Sequence, residues 1–382
     1  MRAHLADLEA LSAATAHLDP PLAALDLAVL RGNAADLVRR AGGKPIRVAA
    51  KSVRCRAVLE EALARPGFAG VMAYSVREAI WLVQCGVRDV LMGYPSVDRG
   101  ALARLSDDAA LADAITLMVD DIAQLRLLPR GSRVCVDVDA SLRLGPLHVG
   151  VRRSPLRTPA AAAELARAAE GLGLRVVGVM LYEAQIAGLP DSSPVIRAVK
   201  ARSAAELARR RGAVVEAVEK VVGALEFVNC GGTGSLEVSS ADPAVTEVTA
   251  GSGLYLPTLF DHYRAFEPRP ALYFALPVTR RPARRIATLT GGAYVASGPA
   301  GRSRLPSPAT PGLRLLRAEG AGEVQTPVRG RRAASLTVGD RVWLRHAKAG
   351  ELAERFDTIH MVEDGVLVRS VPTYRGEGKT FG

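Results

Sequence analysis

The sequence predicts an α/β fold: a (β/α)8 TIM barrel followed by a smaller C-terminal β domain. Three observations carry that expectation. Eight short apolar runs alternate with Ala-, Leu-, Arg- and Glu-rich stretches of helical spacing through the first two-thirds of the chain. The runs hold Val, Leu and Met at consecutive positions, the pattern of strands buried on both faces. Beyond about residue 265 the helical spacing gives way to short strand-like segments divided by Gly, Pro and Arg, which reads as a small barrel or sandwich.

The strand candidates are 46–52, 68–75, 88–95, 115–120, 133–139, 175–182, 227–232 and 247–255. Helical spacing fills the gaps, notably at 56–64, 76–84, 159–171 and 195–222. Eight βα alternations in about 240 residues match a barrel. A doubly wound open sheet is the alternative, but it carries fewer strands and a Gly-rich turn after the first. Here the first strand runs into AAKS rather than GxGxxG. The expected domains are therefore a barrel over 20–265 and a β domain over 266–382, with residues 1–19 a candidate addition to the second. In the β domain, ALYFALPVT, GGAYVASG, DRVWLRH and GVLVRSV read as strands, 349–355 as the one helix, and 297–311 as a loop.

The 382 residues carry a formal charge of +11. Arginines are spread along helical patterns and only 4% of residues are aromatic, so base-stacking platforms are not expected and no nucleic-acid partner is assigned. A solvated basic surface fits better, and it would draw anionic cofactors and carboxylate substrates. Cys55, Cys85, Cys135 and Cys230 show no metal-ligand spacing and sit in or beside apolar runs, as buried thiols do. The N-terminal stretch is acidic in places and lacks a long apolar core. No apolar run approaches the roughly 20 residues of a membrane span. A cytoplasmic protein with no membrane partner is the expectation.

Barrel enzymes place reactive groups where strands end. Strand one ends at Lys51, whose amine would be freed by desolvation and could form a Schiff base. Strand five runs into DVDASLRLG, bringing Arg143 to the mouth. Strand six ends at Tyr182, Glu183 and Gln185. Strands seven and eight end in NCGGTGS and AGSGLY, Gly-rich segments whose amides and Thr233, Ser235 or Ser252 hydroxyls suit a phosphate. Phosphate sites in barrels often use the loops after these two strands.

DPPLAALDLAVLRGNAADL followed by RVAAKS resembles the opening of fold-type III pyridoxal-phosphate enzymes, the group of alanine racemase, D-threonine aldolase and D-serine dehydratase. The resemblance implies that Lys51 holds pyridoxal 5'-phosphate as a Schiff base. DASLRLG is similar to the group's Asp–x–Gly–x–x–Arg–x–Gly segment, implying Arg143 near the ring. CGGTGS implies Gly231, Gly232 and Thr233 at the phosphate. TAGSGLY implies Gly251, Ser252 and Tyr255, and Tyr182 is assigned to the same pocket. The resemblance also implies a homodimer whose sites are completed by the partner's C-terminal domain, with the tail VPTYRGEGKTFG placed for contacts.

GDRVWLRHAKAGELAERFDTIHMV resembles an aldolase and dehydratase segment that supplies two ligands to a divalent metal beside the substrate. His346 keeps the first position, but Lys348 holds the second, and an ammonium has no lone pair to offer. No metal ligand is assigned. The expectation is that Lys348 takes the cation's place and His346 acts as general base. His360 and His262 are weaker candidates, and His148 lies in a loop after Arg143 where it would border the site; should a metal bind, His346, His360 and Asp357 are the first candidates for its ligands. The leading expectation is a lyase performing retro-aldol cleavage of a D-β-hydroxy amino acid. Dehydration of a D-serine type of substrate, racemisation, and a non-catalytic cofactor carrier remain the alternatives.

Overall fold

The computed structural model describes residues 2–381, with backbone alone for 2–7. All eight expected strands form and close on one another in sequence order. They run Ile46–Ala49, Phe68–Ala73, Val90–Met92, Ile115–Val119, Arg133–Asp137, Arg175–Leu181, Phe227–Cys230 and Glu247–Ala250. Every neighbouring pair is parallel. The apolar runs overshot the strands because their last residues leave the ladder to build the mouth. Ala50–Ser52 is a 3-10 turn and Ser252–Tyr255 a short helix.

The outer helices begin where the sequence offers a side-chain acceptor. Asp26 accepts the Val29 amide, Ser75 that of Glu78, and Ser193 that of Ile196 ahead of Pro194. The longest helix, Pro194–Val222, stops at Gly223, whose φ of 85° suits a residue without a side chain. Inside the barrel, below the mouth, Arg47 bridges the buried Glu247 at 2.8 Å, and it also reaches the exposed Asp89 at 2.8 Å. Asn229 joins Glu247 and Thr249 in the same layer, so these buried polar groups are mutually satisfied.

The second domain is one nine-stranded sheet. One of its interior strands, Leu22–Asp26, comes from residues the sequence assigned to the barrel. It pairs antiparallel with Leu272–Ala283 and parallel with Thr358–Glu363. LAALD is apolar on both faces, the same signature as a barrel strand, so pattern alone could not say which sheet takes it. Leu8 and Leu11 of the first helix, Arg2–Ala14, pack on this sheet against Leu22, Tyr273 and Trp343.

One local expectation is corrected: Cys85 is exposed, whereas Cys55, Cys135 and Cys230 are buried. The tail packs in part on the barrel of its own chain. Tyr374 and Phe381 pack on Trp81 of the protein's own barrel, with centroids 4.8 and 5.4 Å away, and Glu377 pairs with Arg56 at 2.9 Å. Among the described residues no helix is long and apolar enough to cross a membrane.

Candidate active site

Lys51 sits on the 3-10 turn that ends strand one and is half-buried. Its Nζ donates a hydrogen bond to the Tyr94 hydroxyl and lies 4.9 Å from that ring's centroid. Burial opposes ionisation of Tyr94, but the charges of Lys51, Arg153 and Lys348 outweigh it and hold the phenol below its ordinary pKa. A loop of the β domain fixes the turn from above. Gly350 packs so tightly that a Cβ there would stand 1.9 Å from the Lys51 carbonyl oxygen, and its φ is 88°. The loop beside Lys51 thus comes from this chain's own β domain.

The two glycine segments meet. Thr233 is buried, and its Oγ1 accepts from the Gly253 amide at 2.9 Å and from Ser252 Oγ at 3.2 Å. Arg40 donates to the Thr233 carbonyl at 2.6 Å. Glu183, predicted only as a strand-end residue, anchors the loop from beneath by accepting from Ser235 Oγ at 2.9 Å and from Ser239. The amides of Thr233, Gly234 and Ser252 have no protein acceptor among the described residues. An ideal Cβ on Gly232 would lie 3.4 Å from Tyr182 Cε2, so the missing side chain leaves room beside the Tyr182 ring. Open amides, hydroxyls and a gap bounded by an aromatic ring suit a phosphate. Tyr255 does not join them. It is fully buried and donates to the Val53 carbonyl at 3.1 Å, which ties strand eight to strand one.

Next to Lys51 and Tyr94 lies a cavity of about 370 Å³, lined by Met118, Asp120, Asp137, Arg153 and Tyr182 among others. Met118 with Asp120, and Met180 with Tyr182, reach it at alternate positions, as strands require. Burial pushes Tyr182 up to about 12 and Asp137 up to about 7, the latter helped by Asp120. Arg143 is not among the lining residues. It sits on a small hairpin with its side chain 47% exposed and pairs with Asp139 at 2.8 Å. Arg153 takes the mouth instead, its guanidinium 5.8 Å from the Tyr94 ring centroid and 5.7 Å from that of Tyr182. The sequence reading missed Tyr94, Asp137 and Arg153. The first two were findable, since both fall at the ends of expected strands.

His346 and Lys348 line a smaller cavity of about 220 Å³ with Tyr294, Glu351 and Glu354. His346 is 3% exposed, and neither ring nitrogen finds a hydrogen-bond partner. Burial, with Arg345 adding, drives its pKa down to about 3. Lys348 Nζ donates to Ser297 Oγ at 2.8 Å. Burial lowers the Lys348 pKa; Glu351 opposes, while Lys51 adds to the fall, so the two amines feel each other's charge. The backbone carbonyls of His346 and Ala347 accept from Thr258 and Leu259, both at 3.1 Å, which pins the loop to the barrel mouth. His360 and Asp357 are elsewhere, bonded to Ser370 and Arg375. His148 bonds the Val151 carbonyl. Among the described residues, no group of three or more His, Cys, Asp or Glu side chains is arranged to hold a metal ion.

Fold and site together define a parallel barrel with a lysine amine and a set of open backbone amides at one mouth, roofed by a loop from a second, β-rich domain. No protein-family model matches the chain. A D-threonine aldolase from Arthrobacter sp is 27% identical over 245 residues, 63% of this chain; the match spans 62% of that relative's length. Among solved structures, the D-threonine aldolase from Filomicrobium marinum superposes with a TM-score of 0.80 at 23% identity, over 94% of this chain and 96% of that one. D-threo-3-hydroxyaspartate dehydratase from Delftia sp. HT23 gives 0.70 at 20% identity, over 93% and 97%. An alanine racemase from Clostridium difficile 630 gives 0.64 at 14%, over 93% and 99%. The chain thus has the barrel-plus-β-domain fold of these proteins, and the resemblance read from the sequence is met at that level.

Proposed function

We propose that this protein is a pyridoxal-phosphate-dependent lyase that cleaves a D-configured β-hydroxy amino acid between Cα and Cβ, giving an aldehyde and a glycine-type product. The observation that carries the reading is the meeting at one mouth of the Lys51 amine, the Thr233–Ser252 contact and the Lys348 loop. Similarity to D-threonine aldolases supports it.

When bound, pyridoxal phosphate links through its aldehyde to an amine and withdraws electrons from the amino acid's α-carbon. Lys51 supplies that amine in the resting protein, and Tyr94 orients it. Gly231, Gly232, Thr233, Gly251 and Ser252 hold the phosphate, with Tyr182 beside it. Arg153, at the rim, attracts the substrate carboxylate. Lys348 donates a charge-assisted hydrogen bond to the β-hydroxyl oxygen and favours its anionic form. His346 is neutral, with both ring nitrogens unpaired, and can accept the hydroxyl proton. Its low basicity makes it a weak acceptor alone; the Lys348 charge lowers the basicity required. His346 with Lys348 at the second position does not make a divalent-metal pair, and no metal enters this reading.

The test is a panel of D- and L-β-hydroxy amino acids with aldehyde and ammonia both quantified. Aldehyde from D-substrates alone supports the reading. Ammonia and a keto acid would mark the dehydratase alternative, racemised substrate the racemase, and cofactor binding without turnover a carrier.

A further inference from the structure

The positive charge of the chain is unevenly placed. Residues 280–332 hold eleven arginines, no lysine and two carboxylates, Glu319 and Glu323, and so carry +9 of the total +11. The segment belongs to the β domain, where Arg284 and Arg285 form the turn between Leu272–Ala283 and Ile286–Thr290. The backbone brings six of the arginines to one corner. Ile286 pairs with Arg329, and Arg329 pairs in turn with Arg314. The Gly330 amide donates to the Arg285 carbonyl at 3.1 Å, which sets Arg331 beside that turn. A Cβ on Gly312 would stand 3.4 Å from Arg332 Cβ, so Arg332 closes the corner. Arg284, Arg285, Arg314, Arg329, Arg331 and Arg332 are all exposed. None of their guanidinium groups forms an ion pair with a carboxylate among the described residues. Like charges set opposite one another across a ladder, as at Arg314 and Arg329, oppose the strand pairing, so an anion settled here would relieve the pair as well as bind.

We propose that this corner docks duplex DNA by its phosphate backbone, without reading its sequence. Guanidinium groups grip phosphate oxygens in pairs. A single strand would need aromatic platforms, and the one aromatic residue of the segment, Tyr294, is taken up by Phe274 and Phe356, with centroids 5.2 and 5.8 Å away. A lipid surface would call for Trp, Phe or Leu to enter it, whereas the exposed large apolar side chains of the segment are Val295 and Val324 alone among the described residues. Arginine unmixed with lysine suits the narrow minor groove of DNA better than the wide one of an RNA duplex. The expectation of no nucleic-acid partner took the arginines as spread along helices; these six lie on strand ends and tight turns. The proposal stands apart from the cofactor reading and does not depend on it.

The experiment titrates a short fluorescent DNA duplex with the full-length protein at several salt concentrations and reads anisotropy. The wild type should bind at low salt, and log Kd should rise with log salt at a slope of about 5, since each of six phosphates engaged contributes about 0.9. Arg284→Gln, Arg285→Gln and Arg329→Gln combined should lower that slope by about three and raise Kd roughly tenfold or more. Arg88→Gln, Arg99→Gln and Arg104→Gln combined remove the same charge from exposed positions on the barrel, and should change the slope far less. Circular dichroism checks that both variants fold. Should the corner variant fail to fold, Arg284→Gln and Arg285→Gln made singly, each lowering the slope by about one, decide instead. No binding by the wild type, or an equal loss in the corner and barrel variants, overturns the proposal. So does tighter binding of a single strand, of an RNA duplex, or of vesicles made from equal parts of phosphatidylcholine and phosphatidylglycerol.

Discussion

Replacing Gly232 by Asp should sharply weaken cofactor binding, and the structure separates the two causes. An ideal Cβ at this position stands 2.9 Å from Ala187 Cβ and 3.4 Å from Tyr182 Cε2. Gly232 is not among the positive-φ residues, so a side chain is sterically crowded but not conformationally forbidden. Crowding alone costs about 1–3 kcal/mol. The carboxylate adds repulsion: two unit charges about 5 Å apart, at an effective dielectric near 20, oppose one another by ~3 kcal/mol. Gly232→Asn has nearly the same shape without the charge, so the Asp-to-Asn ratio isolates the electrostatic part. That ratio should be about a hundredfold in Kd, and it should shrink at high salt. The assay is a spectroscopic titration of both apo-variants with pyridoxal phosphate, alongside circular dichroism to establish folding. Equal affinity of two folded variants would refute the placement of the phosphate beside Gly232.

Borohydride reduction of the holoenzyme should fix the cofactor to the peptide containing Lys51, and Lys51→Ala should abolish the label; a label elsewhere removes Lys51 from its role. The His346 pKa lies near 3 in the fold against 6.5 ordinarily, so between those values the unfolded chain binds a proton that the folded one does not. Stability should therefore fall as pH drops from 6.5 toward 3, and His346→Phe should flatten that slope by about one proton in denaturant titrations. Lys348→Met should lower turnover at least tenfold with little loss of cofactor, while exhaustive chelation leaves the wild type active; activity restored only by manganese or zinc would contradict this. Sedimentation should find a homodimer at assay concentration, and a fully active monomer would count against it.

The barrel was legible because strands buried on both faces write themselves as unbroken apolar runs, and because their order leaves one simple closure. The Gly-rich ends of strands seven and eight, with Lys51, were legible for a related reason: residue type and position both had to be special there. Arg143 and Arg153 show where reading stops. They lie ten positions apart in one irregular segment, and a two-stranded hairpin decides which of them faces the mouth. Tyr255 looked like part of a phosphate segment, yet its ring is consumed in joining strand ends. Neither outcome has a periodic signature. The His346–Gly350 loop was recognised by motif, but its seat on Lys51 depends on a glycine contact between domains far apart in sequence.

Leu22–Asp26 leaves the ribosome early, yet its two edges are satisfied by Leu272–Ala283 and by Thr358–Glu363. Translation proceeds at roughly 5–20 residues per second, so this strand spends on the order of tens of seconds with bare edges. Through that interval the barrel sequence is emerging. The nascent chain must then carry a short, mostly apolar β segment with neither edge paired, the kind of sequence that holding chaperones bind and that pairs with its own copies at high expression. Slowing synthesis, or lowering the number of chains made at once, should raise the soluble fraction more than any change inside the barrel, because the step at risk is the late docking of one early strand.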